Sequence, residues 1–459
     1  MTQKLHLVLG PLLAMILFAA MSAAGCDGPV KWTSAVALWV AWWWVTEPIE
    51  IAATSLLPFA IFPLVGVLTP ADVAKAYGNP LILLMLGGFL LSAAMEQSGV
   101  HRRIALWMVN LVGGNSGPRL VFGFMLASAV LSMWISNSAT TLMLLPIVMA
   151  VVGQLSDRRV TVALVLGIAY AASIGGIGTP IGTPPNLVFM KIYQETTGVE
   201  PTFVQWMGWA LPVTVLMLPL TGLWLTRGLP TNLEIELPQV GKWRSEEKRT
   251  LTIFIITAFF WITRKQPWGG WSGLLSMEMA NDASVALLGA MAMFVWPRGD
   301  GQNGRLLEWE NARKIPWGIL ILFAGGVCLA SAFQSSGLSA LLGNSIGGLQ
   351  ALPVLVLVLV ICLSVTFLTE LTSNTATATL LMPILAAIAI ANEIKPALLM
   401  VPATMSASFA FMLPVATAPN AIVFGSGELT INRMVREGIV LNLIGVLVVA
   451  GVCYWSFDH

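Results

Sequence analysis

Long apolar stretches run through this chain, and short polar segments separate them. Leu7 to Ala24 predicts a first helix, closed by the turn chemistry of Cys26-Asp27-Gly28-Pro29. Trp32 to Val45 predicts a rather short second helix, dense in tryptophan (Trp39, Trp42, Trp43, Trp44). Such density suits an interfacial belt or a packing surface better than a ligand cage. Glu47-Pro48-Ile49-Glu50 reads as a solvated turn, and Ile51 to Leu68 predicts a third helix. Pro80 to Ala94 predicts a fourth, with Gly87-Gly88 for close helix packing. The segment Ile104 to Val112, basic at its His101-Arg102-Arg103 end, suits a helix lying in the membrane interface.

Two polar islands break the apolar pattern from within. The first is Ser136-Asn137-Ser138-Ala139-Thr140-Thr141, the second Ser373-Asn374-Thr375-Ala376-Thr377-Ala378-Thr379. The first is flanked by Leu120 to Ile135 and Thr140 to Leu155, arms shorter than the about 20 residues a spanning helix needs. Both outer ends are cationic, with Arg119 on one side and Arg158 and Arg159 on the other. A re-entrant hairpin, entering and leaving by one face with its tip near midplane, is the expected fold. Val354 to Thr372 and Thr377 to Ala391 predict a second hairpin. In lipid, irregular polar backbone is tolerated only inside protein or along a wet cavity, so each tip points to a binding site.

Each hairpin is followed by a helix that cannot stay helical. Val160 to Ser173 runs into Ile174-Gly175-Gly176-Ile177-Gly178-Thr179-Pro180-Ile181-Gly182-Thr183-Pro184-Pro185-Asn186, and apolar sequence resumes at Leu187. Proline lacks the N–H and glycine is entropically costly, so an unwound middle is predicted. The second broken helix runs from Ala397 to Phe411, is interrupted near Leu413 to Pro419, and resumes at Ala421. Gln194 to Thr202 is a polar loop before the Trp206 to Thr226 helix. Charged connectors, Arg227 to Arg249 and Arg298 to Lys314, bracket two further helices, Leu251 to Thr263 and Ala283 to Trp296, and Gly438 to Trp455 closes the chain.

These features recur in order. Met85-Leu86-Gly87-Gly88-Phe89 with Glu96-Gln97-Ser98-Gly99 returns as Phe323-Ala324-Gly325-Gly326-Val327 with Gln334-Ser335-Ser336-Gly337, about 238 residues later. The islands repeat at about 237, and Thr183-Pro184-Pro185-Asn186 returns as Thr417-Ala418-Pro419-Asn420 at about 234. Cytoplasmic loops collect Lys and Arg. Placing His101-Arg102-Arg103 inside gives about 11 crossings, with the N-terminus inside and Phe457-Asp458-His459 outside. The stretch Gln334 to Leu352 then lies outside, and only Arg264-Lys265, also outside, disagrees. An odd number of crossings separates the two halves, so the repeats are inverted, the architecture of secondary transporters. The expected division is 1–79 as N-terminal scaffold helices, 80–230 as the first repeat, 231–315 as connector and linking helices, and 316–459 as the second repeat.

Composition fixes the class. Of 459 residues, 57% are hydrophobic and 10% charged, against about 25% charged in a soluble domain. The fold class is an all-α polytopic membrane protein. A net charge of +1 gives no field for nucleic acid. The cysteines (Cys26, Cys328, Cys362, Cys453) and histidines (His6, His101, His459) are scattered, which argues against a zinc site and a disulfide framework. No nucleophile–base pair sits in the spans, so an intramembrane enzyme is excluded. Leu5 to Ala24 has signal-peptide features in Lys4 and Ser22-Ala23-Ala24, but the many spans that follow favour a first transmembrane helix.

Two Ser-Asn-Thr-type tips, each followed by a Thr-x-Pro-Asn break, resemble the divalent anion–sodium symporter family, which carries di- and tricarboxylates or sulfate. The likeness covers nearly the whole chain. It implies a homodimer in a bacterial-type inner (plasma) membrane, with scaffold and transport domains moving as an elevator. It implies one sodium site at Ser132, Ser136, Asn137 and Gly182 and a second at Thr369, Thr372, Asn374 and Ala416. Substrate would touch Ser136, Asn137, Ser138, Ser373, Asn374, Thr375, Thr183 and Thr417. Ser138 departs from the threonine common in that family.

The residue types suit that chemistry. Sodium, as a hard cation, takes hydroxyl and carbonyl oxygens. Neither island holds a carboxylate. Glu370 is close, but its counterpart in the first half is Met133, which favours a structural role. No Arg or Lys lies in the islands, so bound sodium and helix N-termini are left to balance an anion. The expected function is sodium-coupled symport of a C4-dicarboxylate such as succinate. A sodium–sulfate symporter or a sodium-independent dicarboxylate exchanger of the same fold is the rival, and an anion channel the alternative of another class.

Overall fold

The computed structural model describes residues 2–457, apart from 114–115, 156, 234, 236–240, 266–268, 300 and 346–352. The sequence expectations for Asp458-His459, for the end of the Gln334 to Leu352 stretch and for parts of the loops at 113–119 and 227–249 lie outside the described residues. Among the described residues, 7 helical stretches are long and apolar enough to cross a membrane. Shorter apolar helices, including both arms of the first hairpin, accompany them. The chain is a multi-pass helical membrane protein, and its expected crossings are not all single long helices.

Burial orders these elements from rim to centre. In the N-terminal span Lys4–Ala23 only 11% of the most apolar window is buried, against 89% in Arg158–Gly176. The first is a peripheral helix little covered by the rest of the chain, and the second is the centre of the bundle. Gly175 lets this central helix touch the first hairpin, because a Cβ there would lie 2.1 Å from the Ala129 carbonyl oxygen. The tryptophan-rich helix, Gly28–Thr46, packs on the N-terminal helix. Trp43 sits where a side chain on Gly10 would fall, and Trp44 is buried with its Nε1 donating to Ser55 Oγ at 3.0 Å. This is the packing surface expected from the sequence.

The hairpins form where the polar islands predict them. The first has arms Gly117–Ser132 and Asn137–Val152, and the second Val354–Thr369 and Asn374–Ala391. The central helix stops at Gly176 and restarts as Pro184–Thr197. The second broken helix, Pro396–Ala407, stops four residues before the expected Phe411 and restarts as Ala418–Phe424. Side chains that take up the backbone groups freed at 408–417 explain the earlier stop.

Several boundaries differ from expectation for identifiable reasons. The third helix is two short pieces, Ile51–Thr54 and Leu57–Leu64. Helix Trp317–Ser336 crosses at the break, with Gly325 against the Ser55 backbone, and Pro58 sits in the first turn of the second piece. A further helix, Pro70–Tyr77, starts at Thr69, whose hydroxyl accepts from the Asp72 N–H. The loop expected from Gln194 begins only after Pro184–Thr197, ended by Gly198 at φ 72°. The helix expected from Leu251 starts at Ser245, because Glu247 accepts from the Arg244 N–H at 2.8 Å and caps it. The all-α expectation misses one small ribbon, Pro297–Gly299 paired antiparallel with Gln302–Arg305, where Gly299 and Gly301 supply positive φ for the turn. At the basic end of the amphipathic helix Val100–Val112, Arg102 is exposed while His101 and Arg103 are buried. Arg103 is buried and donates to Glu247 Oε2 at 3.0 Å and to the Gly241 carbonyl at 2.6 Å, which fastens the connector to the bundle.

Candidate substrate and ion site

At each hairpin tip the same contact recurs. Ser132 Oγ donates to Asn137 Oδ1 at 2.6 Å across the first tip. Thr369 Oγ1 lies 2.9 Å from Asn374 Oδ1 across the second, and 2.8 Å from the Ala407 carbonyl oxygen. Glycines of the first unwound segment crowd the same spot. A Cβ on Gly176 would fall 2.4 Å from Asn137 Oδ1, and one on Gly182 would fall 2.4 Å from the Gly176 carbonyl and 2.9 Å from that of Ser132. Each half therefore gathers hydroxyl, amide and backbone oxygens at one point, the ligand set a hard monovalent cation takes.

The unwound segments are held by asparagines that the sequence reading left out of the site. Asn186 Nδ2 donates to the Gly176 and Thr179 carbonyls at 3.1 and 2.7 Å. Asn420 Nδ2 donates to the Ala410 and Leu413 carbonyls, each at 3.0 Å. Both asparagines are fully buried, and each ends a Thr-x-Pro-Asn motif, so the signal was present. The second segment has an additional support. Glu370 Oε1 accepts from the Met412 N–H at 2.8 Å and from Asn442 Nδ2 at 2.7 Å, and Oε2 accepts from the Leu413 N–H at 3.0 Å. Glu370 is thus a backbone clamp, the structural role favoured from the sequence.

Both tips and both breaks face one cavity of about 520 Å³. All eight expected substrate residues line it: Ser136, Asn137, Ser138, Thr183, Ser373, Asn374, Thr375 and Thr417. Of the other expected ion residues, Gly182, Thr372 and Ala416 also line it, while Ser132 and Thr369 are buried behind the tips. The Thr372 hydroxyl is engaged within its own hairpin, 3.0 Å from the Leu368 carbonyl and 2.5 Å from Thr377 Oγ1. Opposite the tips stand Val45, Thr46, Phe89 and Ile319.

The electrostatics of this cavity are unusual. Among the described residues no Lys or Arg lines it, and Glu47, in the left-handed region at φ 43°, is its charged side chain. The sequence reading assigned Glu47 to a solvated turn, and that turn forms part of the cavity wall. Four helices begin at the wall: Asn137–Val152, Pro184–Thr197, Asn374–Ala391 and the short Ala418–Phe424. Their free N–H groups and positive dipole ends supply what positive potential the protein itself offers an anion there.

A family model described as the sodium:sulfate symporter transmembrane region matches residues 3–457. The chain is 39% identical over 476 residues to the sodium-dependent dicarboxylate transporter SdcS of Staphylococcus saprophyticus, covering 99% of this chain and 91% of that protein. The same figures hold for SdcS of Staphylococcus aureus strain USA300. In overall fold it resembles the YdaH transporter of Alcanivorax borkumensis, with TM-score 0.61 and 16% identity over 94% of this chain and 99% of that one. It also resembles MtrF of Neisseria gonorrhoeae, with TM-score 0.59 and 13% identity over 86% and 84%. With a match that spans nearly its whole length, the chain belongs to the divalent anion–sodium symporter family and is a membrane transporter, not an enzyme.

Proposed function

We propose that this transporter couples sodium to the movement of a C4-dicarboxylate such as succinate. The observation that carries the reading is the single cavity walled by both tips and both breaks without a Lys or Arg. A dianion there needs countercharge from bound cations as well as from helix ends, so anion binding and sodium binding become one event. The oxygen clusters around Ser132–Asn137 and Thr369–Asn374 are the proposed sodium sites, with Ser136, Gly182, Thr372 and Ala416 contributing, and sodium is a co-substrate. A dicarboxylate is the substrate class named for the SdcS relatives. Ser and Asn groups at the tips donate hydrogen bonds to its carboxylates.

The hairpins and broken helices form the moving body of an elevator in this reading, with 1–79 as scaffold helices and 231–315 as connector and linking helices. The protein works as a homodimer in a bacterial-type plasma membrane with its N-terminus cytoplasmic. Proteoliposome uptake of labelled succinate, citrate and sulfate, with and without a sodium gradient, tests the reading. Succinate accumulation that collapses when choline replaces sodium is the expected result. Uptake unchanged by that replacement would make the protein an exchanger. Asn137→Ala and Asn374→Ala are each expected to abolish sodium-dependent uptake in a folded protein, and wild-type transport by either would remove the proposed site.

A further inference from the structure

A second cavity, of about 480 Å³, adjoins the first. Phe89, Ser136, Ser138 and Ile319 line both, so the first hairpin tip is a wall they share. The far lining of the second cavity is Glu96, Gln97, Asn311 and Lys314. These residues lie at the end of helix Pro80–Ser98 and just before helix Trp317–Ser336, on the face that the loop charges make cytoplasmic. Their polar groups are ordered in a row. Asn311 Nδ2 donates to Gln97 Oε1 at 2.9 Å, and Asn311 Oδ1 accepts from Lys314 Nζ at 3.0 Å.

Lys314 is the cationic side chain lining either cavity among the described residues. Its ammonium uses one of three donors on a neutral amide, and among the described residues no ion pair joins it to Glu96 on the same wall. The first cavity offers an anion no cationic side chain, so a dianion that loses its sodium partners there loses its countercharge. The next positive charge on the path past Ser138 is Lys314. We propose that the second cavity is a release-side subsite for the dicarboxylate, with Lys314 as its positioning cation. The proposal rests on the reading of the first cavity as a dicarboxylate site. The ammonium draws the leaving anion off the tip, and in the reverse direction it concentrates cytoplasmic anion at the tip. A lysine present only to satisfy the charge bias of cytoplasmic loops would have no side-specific effect on transport kinetics.

The test uses the full chain and succinate on each side of the membrane. KM is measured in whole cells, which present the outer face, and in inverted vesicles, which present the cytoplasmic face. Lys314→Gln is expected to raise the KM in inverted vesicles roughly three- to fivefold, the scale of an exposed charge interaction. The effect shrinks at high ionic strength, and the external KM stays at the wild-type value. Lys314→Arg keeps the wild-type KM on both sides. In a Cys26→Ser background, Lys314→Cys is expected to behave like the Gln variant until aminoethyl methanethiosulfonate restores an amine and lowers the KM. An unchanged KM in inverted vesicles, an effect confined to the external KM, or no recovery on aminoethylation overturns the subsite alone. A wild type that carries no succinate in either preparation overturns the reading of the first cavity and the subsite with it.

Discussion

Glu370 offers the sharpest test of how the second unwound segment is held. Its carboxylate accepts three hydrogen bonds, two from the N–H groups of Met412 and Leu413 and one from Asn442. Glu370→Ala strips all three donors of their acceptor in a buried place. Each unpaired donor costs about 1–3 kcal/mol, so the full loss is roughly 3–9 kcal/mol. Glu370→Gln keeps the shape. Its oxygen can take the Oε1 position and serve Met412 and Asn442, but its NH₂ then faces the Leu413 N–H, which leaves one donor unmet at about 1–3 kcal/mol. A graded series, wild type above Gln above Ala, is therefore expected in thermal unfolding of the detergent-purified protein.

The competing role, a sodium ligand, predicts a different pattern. A ligand that binds only the folded state raises the unfolding temperature, so saturating sodium stabilises the wild type on the proposed reading. A clamp leaves that sodium-induced rise nearly intact in Glu370→Gln while lowering both curves. If Glu370→Gln instead unfolds like wild type without sodium and gains nothing from sodium, the clamp argument is refuted.

Other substitutions probe the same architecture. Asn186→Ala and Asn420→Ala each leave two freed carbonyls without their amide donor; each is expected to cost about 1–3 kcal/mol, read by thermal unfolding. Gly176→Ala puts a methyl group 2.4 Å from Asn137 Oδ1. It should raise the sodium KM by about tenfold or more, the effect of losing about 1.4 kcal/mol of binding, and an unchanged sodium dependence would separate Asn137 from the ion site. Arg264→Met leaves the Asp282 carboxylate, 2.6 Å from Arg264 Nε, buried without its cation. The expected loss is about 3–5 kcal/mol, with most of it recovered in the double variant Arg264→Met, Asp282→Leu.

Much of the site is legible in the chain because its chemistry contradicts its surroundings. Ser136-Asn137-Ser138 and Ser373-Asn374-Thr375 are conspicuous in apolar sequence, and the structure puts both on one cavity. The breaks are equally visible, since glycine and proline act on the backbone locally. What stays hidden depends on partners distant in sequence. Glu370 sits beside the second tip, but the groups it clamps are more than forty residues away at Met412 and Leu413. The first half has Met133 at that position, and its unwound stretch, 177–183, is shorter than 408–417 and leaves fewer backbone groups to satisfy. Residue spacing could not tell that one half needs a carboxylate and the other does not. The end of the helix Pro396–Ala407 was misplaced for the same reason, since Asn442 and Asn420, not the local sequence, hold Phe411 and Ala410 outside it.

Arg264 and Lys265 show why the charge count gave one discordant loop. Arg264 is 2% exposed and bonded to Asp282 and Glu200, while Lys265 reaches Glu200 at 3.3 Å. Two cations are thus matched by two carboxylates in one cluster, which presents no net charge to the membrane. The carboxylates come from far along the chain, Glu200 from the loop before Phe203–Thr226 and Asp282 from the start of the next long helix. Counted singly, Arg264 and Lys265 oppose the expected orientation; in the fold each is held by a carboxylate. The same pairing gives Glu200, in the polar loop after Gly198, a structural role. Removing that carboxylate would leave Lys265 without its ion-pair partner and Arg264 with Asp282 alone.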